Sequence, residues 1–96
     1  MYTYLLIGDY YTGGNILLDT LPDSLGNMEN LAILYLDRNN LTQLPDNITN
    51  LSNLIYLVLS FNQLTLLPEN IGDLSNLIWI DVGYNNLEAI PESIGS

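Results

Sequence analysis

A 23-residue period runs through the sequence and limits the chain to architectures that are built from stacked units. The same kinds of residue return at fixed positions in three successive units. These columns are Leu31, Leu54 and Leu77; Leu34, Leu57 and Ile80; Leu36, Leu59 and Val82; Asn39, Asn62 and Asn85; Leu41, Leu64 and Leu87; Leu44, Leu67 and Ile90; Pro45, Pro68 and Pro91; and Ile48, Ile71 and Ile94. A repeat of about 20 to 50 residues predicts a solenoid, in which each unit buries its apolar side only against its neighbours.

A weaker unit precedes these three. Leu21-Pro22 stands one period before Leu44-Pro45, and with one inserted residue the template continues back to Ile7. The upstream matches are Ile7, Tyr10, Thr12, Asn15 and Leu17. We therefore predict a single domain over residues 1–96. Its parts are an N-terminal cap strand at 1–6, repeats at 7–30, 31–53 and 54–76, and a truncated repeat at 77–96.

Each unit combines a strand signal with a signal for a helical turn. In Leu34-Tyr-Leu36 the leucines alternate with a period of two, which predicts a short strand with one buried face. Pro45 fixes its own φ and suits the start of a helical turn. Ile48 and Leu51 then return one apolar face to the core.

The asparagine column falls in the turn that follows each strand. Such a turn leaves backbone N–H and C=O groups buried, and an Asn amide can both donate and accept hydrogen bonds. We therefore predict that Asn39, Asn62 and Asn85 form a structural ladder, and that removing one of them costs about 1–3 kcal/mol of stability.

The unit Leu31-Ala-Ile-Leu34-Tyr-Leu36-Asp-Arg-Asn39-Asn-Leu41-Thr-Gln-Leu44-Pro45 resembles the leucine-rich repeat family in its 23-residue bacterial or typical form. The first unit departs from the pattern, since Tyr10 and Thr12 replace core leucines. The resemblance implies an α/β repeat fold: a leucine-rich-repeat solenoid of about four coils, with a short curved parallel sheet on its concave face and turns or 3₁₀ segments on its convex face. It also implies a non-enzymatic module that recognises another protein through the concave face.

The composition excludes several classes of function. One cation, Arg38, stands against 11 acids for a formal net charge of −10, so the chain lacks the cations that neutralise nucleic-acid phosphates. Histidine, cysteine and lysine are absent, which removes the usual zinc, haem and iron–sulfur ligands and the Ser-His, Cys-His and Ser-Lys nucleophiles. We therefore expect no cofactor, no metal and no nucleic-acid partner.

The sequence shows neither a membrane span nor a signal peptide. No stretch approaches the roughly 18 apolar residues that cross a bilayer, and the N-terminus lacks a basic region. We expect no membrane insertion, and either a cytoplasmic protein or a piece of a larger extracellular one.

The variable strand positions are the candidate partner-binding residues, because their side chains point away from the leucine core. Tyr56 and Trp79 share one column and should lie side by side, and aromatic residues are enriched in binding hot spots. The alternative is cross-strand pairing that only supports the sheet. Phe61 and Tyr84, which precede ladder asparagines, are expected to be structural. The candidates for binding are Ile33, Tyr35, Asp37, Arg38, Tyr56, Val58, Ser60, Trp79 and Asp81.

Other polar patterns have competing interpretations. Arg38 is expected to form a weak surface ion pair with Asp37. The acids that follow the prolines could supply calcium ligands or the carboxylate pair of a glycosidase, but a preference for acids at a helix start explains them as well. These acids are Asp23, Asp46, Glu69 and Glu92. Three N-glycosylation sequons begin at Asn40, Asn47 and Asn50, although the repeat consensus itself generates such strings.

An alternative function concerns the ends of the array. Repeat arrays need polar capping units, whereas the last unit carries apolar residues at its core positions. Those positions are Leu77, Ile80, Val82, Leu87 and Ile90. A head-to-tail contact need not close, so the alternative is a structural, self-assembling solenoid that stacks end to end into oligomers or filaments.

Overall fold

The computed structural model describes residues 3–6, 21, 23–91 and 93, which form an open parallel sheet connected by short 3₁₀ segments. Four strands lie side by side in chain order. The strands are β1 (Thr3–Leu6), β2 (Leu31–Tyr35), β3 (Tyr56–Val58) and β4 (Trp79–Asp81). The 3₁₀ segments are η1 (Asp23–Asn27), η2 (Asp46–Asn50) and η3 (Ile71–Asp73).

The 23-residue period sets the register of the sheet. Leu34 pairs with Leu57, and Leu57 pairs with Ile80, so each core residue lies beside its equivalent in the next coil. The strands are short because most of each unit leaves the sheet, turns and returns to start the next parallel strand. The predicted solenoid, with a parallel sheet on one face and 3₁₀ segments on the other, is confirmed.

Leucine and isoleucine side chains form one continuous core across the coils. Leu34 and Leu57 are fully buried beneath the sheet, and Ile48 and Ile71 close the core from η2 and η3. The equivalent side chains of the last coil are only partly buried, since a neighbouring coil covers them on one side. These are Leu77, Ile80, Val82 and Leu87. Each coil therefore obtains its core from its neighbours, as expected of a solenoid.

Each of two prolines is followed by a 3₁₀ turn. Pro45 precedes η2 with φ −66° and ψ 142°, and its carbonyl accepts the N–H of Ile48 at 3.1 Å. The carbonyl of Pro68 accepts the N–H of Ile71 in the same way at 3.0 Å. Proline thus ends the extended segment and starts the turn that returns the chain to the core.

The first strand corrects the template that the sequence suggested for the first coil. Leu5 in β1 pairs with Leu34, whereas the template placed Tyr10 at that position. Leu5 packs against the core, a place where the hydroxyl group of a tyrosine would need a buried hydrogen-bond partner. Tyr10, Thr12 and the rest of residues 7–20 lie outside the described residues, so the boundary at residue 7 stays a prediction.

A ladder of asparagine amides joins the turns that follow the strands. The Asn62 amide donates to the Leu59 carbonyl at 2.9 Å in its own coil and to the Leu36 carbonyl at 3.0 Å in the preceding coil. Its Oδ1 accepts the N–H of Leu41 at 3.0 Å. Asn85 makes the equivalent three bonds one coil later. Each of these amides therefore satisfies backbone groups of two coils at once.

A second and more exposed row of asparagines lies before the strands. The Asn53 amide donates to the carbonyl of Glu29, and the Asn76 amide donates to the carbonyl of Ser52, both at 2.8 Å. These bonds also connect successive coils, but water has access to them and can replace them. This column was not predicted from the sequence, although Asn53 and Asn76 are one period apart.

We predict that Asn62→Ala lowers the free energy of unfolding by about 1–3 kcal/mol, because it leaves the buried N–H of Leu41 without its acceptor. It also removes one of the two amide donors to each of the Leu36 and Leu59 carbonyls. The matched control is Asn53→Ala, which removes one exposed bond and should cost less than about 1 kcal/mol. Urea unfolding followed by circular dichroism measures both values. Equal losses in the two variants would contradict the special importance of the buried ladder.

Candidate functional site

Four side chains at one register position form a row across the concave face of the sheet, the face opposite the leucine core. Tyr4 pairs with Ile33, Ile33 with Tyr56, and Tyr56 with Trp79. Tyr4, Tyr56 and Trp79 are 64%, 37% and 58% exposed, and Ile33 is half-buried. We call these four residues the aromatic row. Neighbouring strands lie about 4.8 Å apart, so one partner can contact several members of the row together.

A shallow depression of about 330 Å³ adjoins the aromatic row. Its lining consists of Ile33, Ile55, Tyr56 and Ile78. Ile78 is largely exposed to solvent, although its side chain is fully apolar. Exposed apolar surface that is contiguous in this way is typical of sites that bind other proteins or apolar ligands.

Three residues of this surface were not among the candidates chosen from the sequence: Tyr4, Ile55 and Ile78. Ile55 and Ile78 share the 23-residue period with Ala32, so the same reasoning applied one column earlier would have found them. Tyr4 could not be found from the period, because more than one 23-residue period separates it from its partner Ile33.

The other strand positions chosen from the sequence differ in their accessibility. Tyr35, Val58 and Asp81 form the next row along the strands and are half-buried. Asp37 and Ser60 are only 9% and 8% exposed, because they follow core leucines into the turn. These two side chains offer little surface to a partner. The predicted residues that the structure brings together on the sheet are Ile33, Tyr35, Tyr56, Val58, Trp79 and Asp81.

Arg38, Phe61 and Tyr84 form a stacked column beside the asparagine ladder. The rings of Phe61 and Tyr84 are nearly parallel, at 8°, with centroids 4.4 Å apart. The guanidinium carbon of Arg38 lies 4.2 Å from the centroid of Phe61. All three residues have positive φ, between 55° and 61°, a region that residues other than glycine rarely adopt. The stacking therefore offsets part of the backbone strain in these turns.

The ion pair expected between Arg38 and Asp37 is a weaker contact than this stack. Its closest approach, from Arg38 Nε to Asp37 Oδ2, is 4.0 Å. An ion pair of that length with an exposed guanidinium contributes little. The guanidinium group of Arg38 therefore contacts both the ring of Phe61 and the carboxylate of Asp37. Residues 38, 61 and 84 follow the 23-residue period, but spacing alone does not reveal that their side chains stack.

We predict that Phe61→Leu lowers the free energy of unfolding by about 1 kcal/mol, since leucine keeps apolar bulk but loses the ring contacts with Tyr84 and Arg38. Phe61→Tyr keeps both contacts and should stay within about 0.5 kcal/mol of the parent chain. Thermal and urea unfolding of the three proteins measure the difference. If the leucine and tyrosine variants are equally stable, the stack does not stabilise the turn.

The acids that follow the prolines do not assemble into a metal site in the part of the chain that the structure describes. Asp46 and Glu69 are exposed, and no three acidic side chains among the described residues are grouped so that they could hold a metal ion. The side chain of Asp23 and the whole of Glu92 lie outside the described residues. The calcium and glycosidase interpretations therefore gain no geometric support here.

The three sequon asparagines differ in exposure. Asn50 is exposed at the end of η2, whereas Asn40 and Asn47 are half-buried. Asn50 is thus the most accessible of the three, and glycosylation at any of them stays a prediction.

Among the helical segments that the structure describes, none is long and apolar enough to span a bilayer.

Known proteins share both the sequence repeat and the fold of this chain. The sequence model of the leucine rich repeat family matches residues 29–87, which is more than half of the chain. This chain belongs to the leucine-rich repeat family. A solved leucine-rich repeat protein of Leptospira interrogans is similar to it, with 40% sequence identity and a TM-score of 0.80. That match covers 83% of this chain and 20% of the Leptospira protein, so the chain spans about a fifth of that protein's length. A comparison with curated proteins gives no match.

Proposed function

We propose that this leucine-rich repeat chain is a non-enzymatic recognition module that binds a partner protein on the concave face of its sheet. Leucine-rich repeat domains generally mediate protein–protein interaction and are typically not enzymes. The observation that carries the proposal for this chain is the aromatic row, whose three aromatic side chains stay exposed on the sheet while the leucines beneath them are buried.

Tyr56 and Trp79 have the properties of interface anchors. They lie on adjacent strands in direct register, so their rings form one contiguous surface. Covering a large apolar side chain contributes roughly 1.5–3 kcal/mol, and the strand backbone fixes the position of both residues before a partner arrives. Aromatic side chains that combine these features commonly dominate binding energy.

The adjoining depression is better suited to binding a side chain of a partner than to catalysing a reaction. Its lining residues are three isoleucines and Tyr56, so it holds no carboxylate, imidazole, thiol or amine group. A partner that inserts an aliphatic or aromatic side chain beside Tyr56 would bury the exposed surface of Ile78 at the same time.

End-to-end assembly of the solenoid stays a prediction from the sequence. Sedimentation over a range of concentrations separates the two functions. A recognition module keeps the mass of one chain, whereas an assembling solenoid grows with concentration.

We predict that the double variant Tyr56→Ala, Trp79→Ala weakens binding by more than about 2 kcal/mol, which is roughly 30-fold in affinity. A binder selected from a displayed protein library against the folded chain serves as the partner, and calorimetry gives the affinities. Strand content in circular dichroism should not change, since both side chains point away from the core.

The matched control is Leu66→Ala, because Leu66 is similarly exposed but lies in the segment beyond the asparagine ladder and outside the strands. It should leave the affinity unchanged. A selected binder that tolerates the double change but loses affinity in the control would place recognition away from the concave face and overturn the proposal.

A further inference from the structure

We propose that the partner of the concave face is a cationic segment, in which an Arg or Lys side chain lies over the ring of Trp79 and pairs with Asp81. Apolar side chains next to that cation fill the depression beside Tyr56. This inference rests on the proposed function and adds the chemistry of the partner to it.

The charge of the chain favours a basic partner. Its formal net charge is −10, with one cationic side chain against 11 acids. A field of one sign speeds the approach of oppositely charged partners and repels like-charged ones. An acidic partner would have to overcome this repulsion with no compensating lysine or histidine anywhere in the chain.

The single cation of the chain does not neutralise the concave face. The guanidinium group of Arg38 lies against the ring of Phe61 and near the carboxylate of Asp37. Arg38 is in the turn after β2, beyond the end of the strand. The aromatic row therefore lacks a cation of its own.

Trp79 and Asp81 together form the most specific part of this surface. They are two residues apart on β4, so their side chains lie on the same face, about 6–7 Å apart along the strand. The Oδ1 atom of Asp81 accepts the N–H of Gly83 at 3.0 Å, which fixes the carboxylate at this edge of the sheet. A cation over an exposed indole ring gains a cation–π interaction, and the carboxylate adds an ion pair at the same point.

Two further acids lie in the segments that precede strands. Glu29 lies in the turn before β2, and Asp73 ends η3 before β4. Both are exposed. They add to the negative field of the chain, which favours the approach of a segment that carries basic side chains.

The chain contains its own reporter for this site, because Trp79 is its only tryptophan. The probes are three short synthetic peptides of equal length, one alternating Leu and Arg, one alternating Leu and Glu, and one alternating Ser and Arg. We expect the Leu–Arg peptide to shift the fluorescence emission of Trp79 and to bind at least about tenfold more tightly than the other two. Its affinity should fall several-fold when salt is raised to about 0.5 M.

Two substitutions of equal charge test the role of Asp81. Asp81→Asn removes the charge but keeps an oxygen that accepts the N–H of Gly83, and it should weaken binding of the Leu–Arg peptide about tenfold. Glu88→Gln removes the same charge from an exposed position in the turn beyond the asparagine ladder, and it should change the affinity less than about twofold.

The outcomes separate this inference from the proposed function. If the Leu–Glu peptide binds as tightly and shifts Trp79 equally, the cationic partner is wrong, while recognition by the concave face stands. If the Leu–Arg peptide binds without affecting Trp79, its site lies elsewhere and both proposals lose their support.

Equal effects of the two substitutions would show attraction by net charge alone and overturn the site at Trp79 and Asp81. Failure of all three peptides to bind would overturn the cationic inference, and the library-selected binder would then decide the proposed function.

Discussion

In the described coils, an asparagine amide from the next coil lets the chain leave the sheet without losing backbone hydrogen bonds. After β2 the N–H of Leu41 is buried in the turn, and Oδ1 of Asn62 from the next coil accepts it. The carbonyl of Leu36 accepts from the Asn62 amide as well as from Asn39 of its own coil. A leucine at that position could fill the space, but it could not donate and accept at once. The buried amide therefore fixes where each strand ends and how the next coil is positioned above it.

This arrangement divides the chain into positions that determine the fold and positions that are free to vary. The ladder amides, the core leucines and the prolines all face inward or turn the chain, so they are repeated almost without change. The side chains at the register of Tyr56 do not determine the fold, because they point away from the core. The same scaffold could carry polar residues there. Because this chain carries aromatic and aliphatic side chains there, its concave face presents an exposed apolar surface.

Much of this fold could be predicted from the sequence, because each buried position recurs with the same chemistry. The period located β2, β3 and β4, the turns after Pro45 and Pro68, and the adjacency of Tyr56 and Trp79. It placed Tyr10 rather than Leu5 beside Leu34, since Leu5 and Leu34 are separated by more than one period and so fall outside the common spacing.

Other features could not be predicted, because the pattern of residues does not encode backbone conformation. Strict alternation suggested that Asp37 faces a partner, but the chain has already entered the turn there and the residue is mostly buried. The same turn gives Arg38 and Phe61 positive φ values, and their stacking depends on that geometry. The depression at Ile78 was missed for a simpler reason: the period also contains the column of Ala32, Ile55 and Ile78, but the candidate positions were chosen one column later.

The ladder has a consequence for how such a chain can change its length. The bonds of Asn62 and Asn85 are identical in kind, and every partner is displaced by one period, so the interface between two coils is independent of where it stands in the array. Duplication or recombination of one whole unit would create a new interface of a kind already present, with no new packing problem to solve. Each added unit would lengthen the sheet by about 4.8 Å and add one side chain to each exposed row. The length of the sheet can therefore evolve in fixed steps by gene duplication. The choice of partner can evolve separately, by single substitutions on the exposed face.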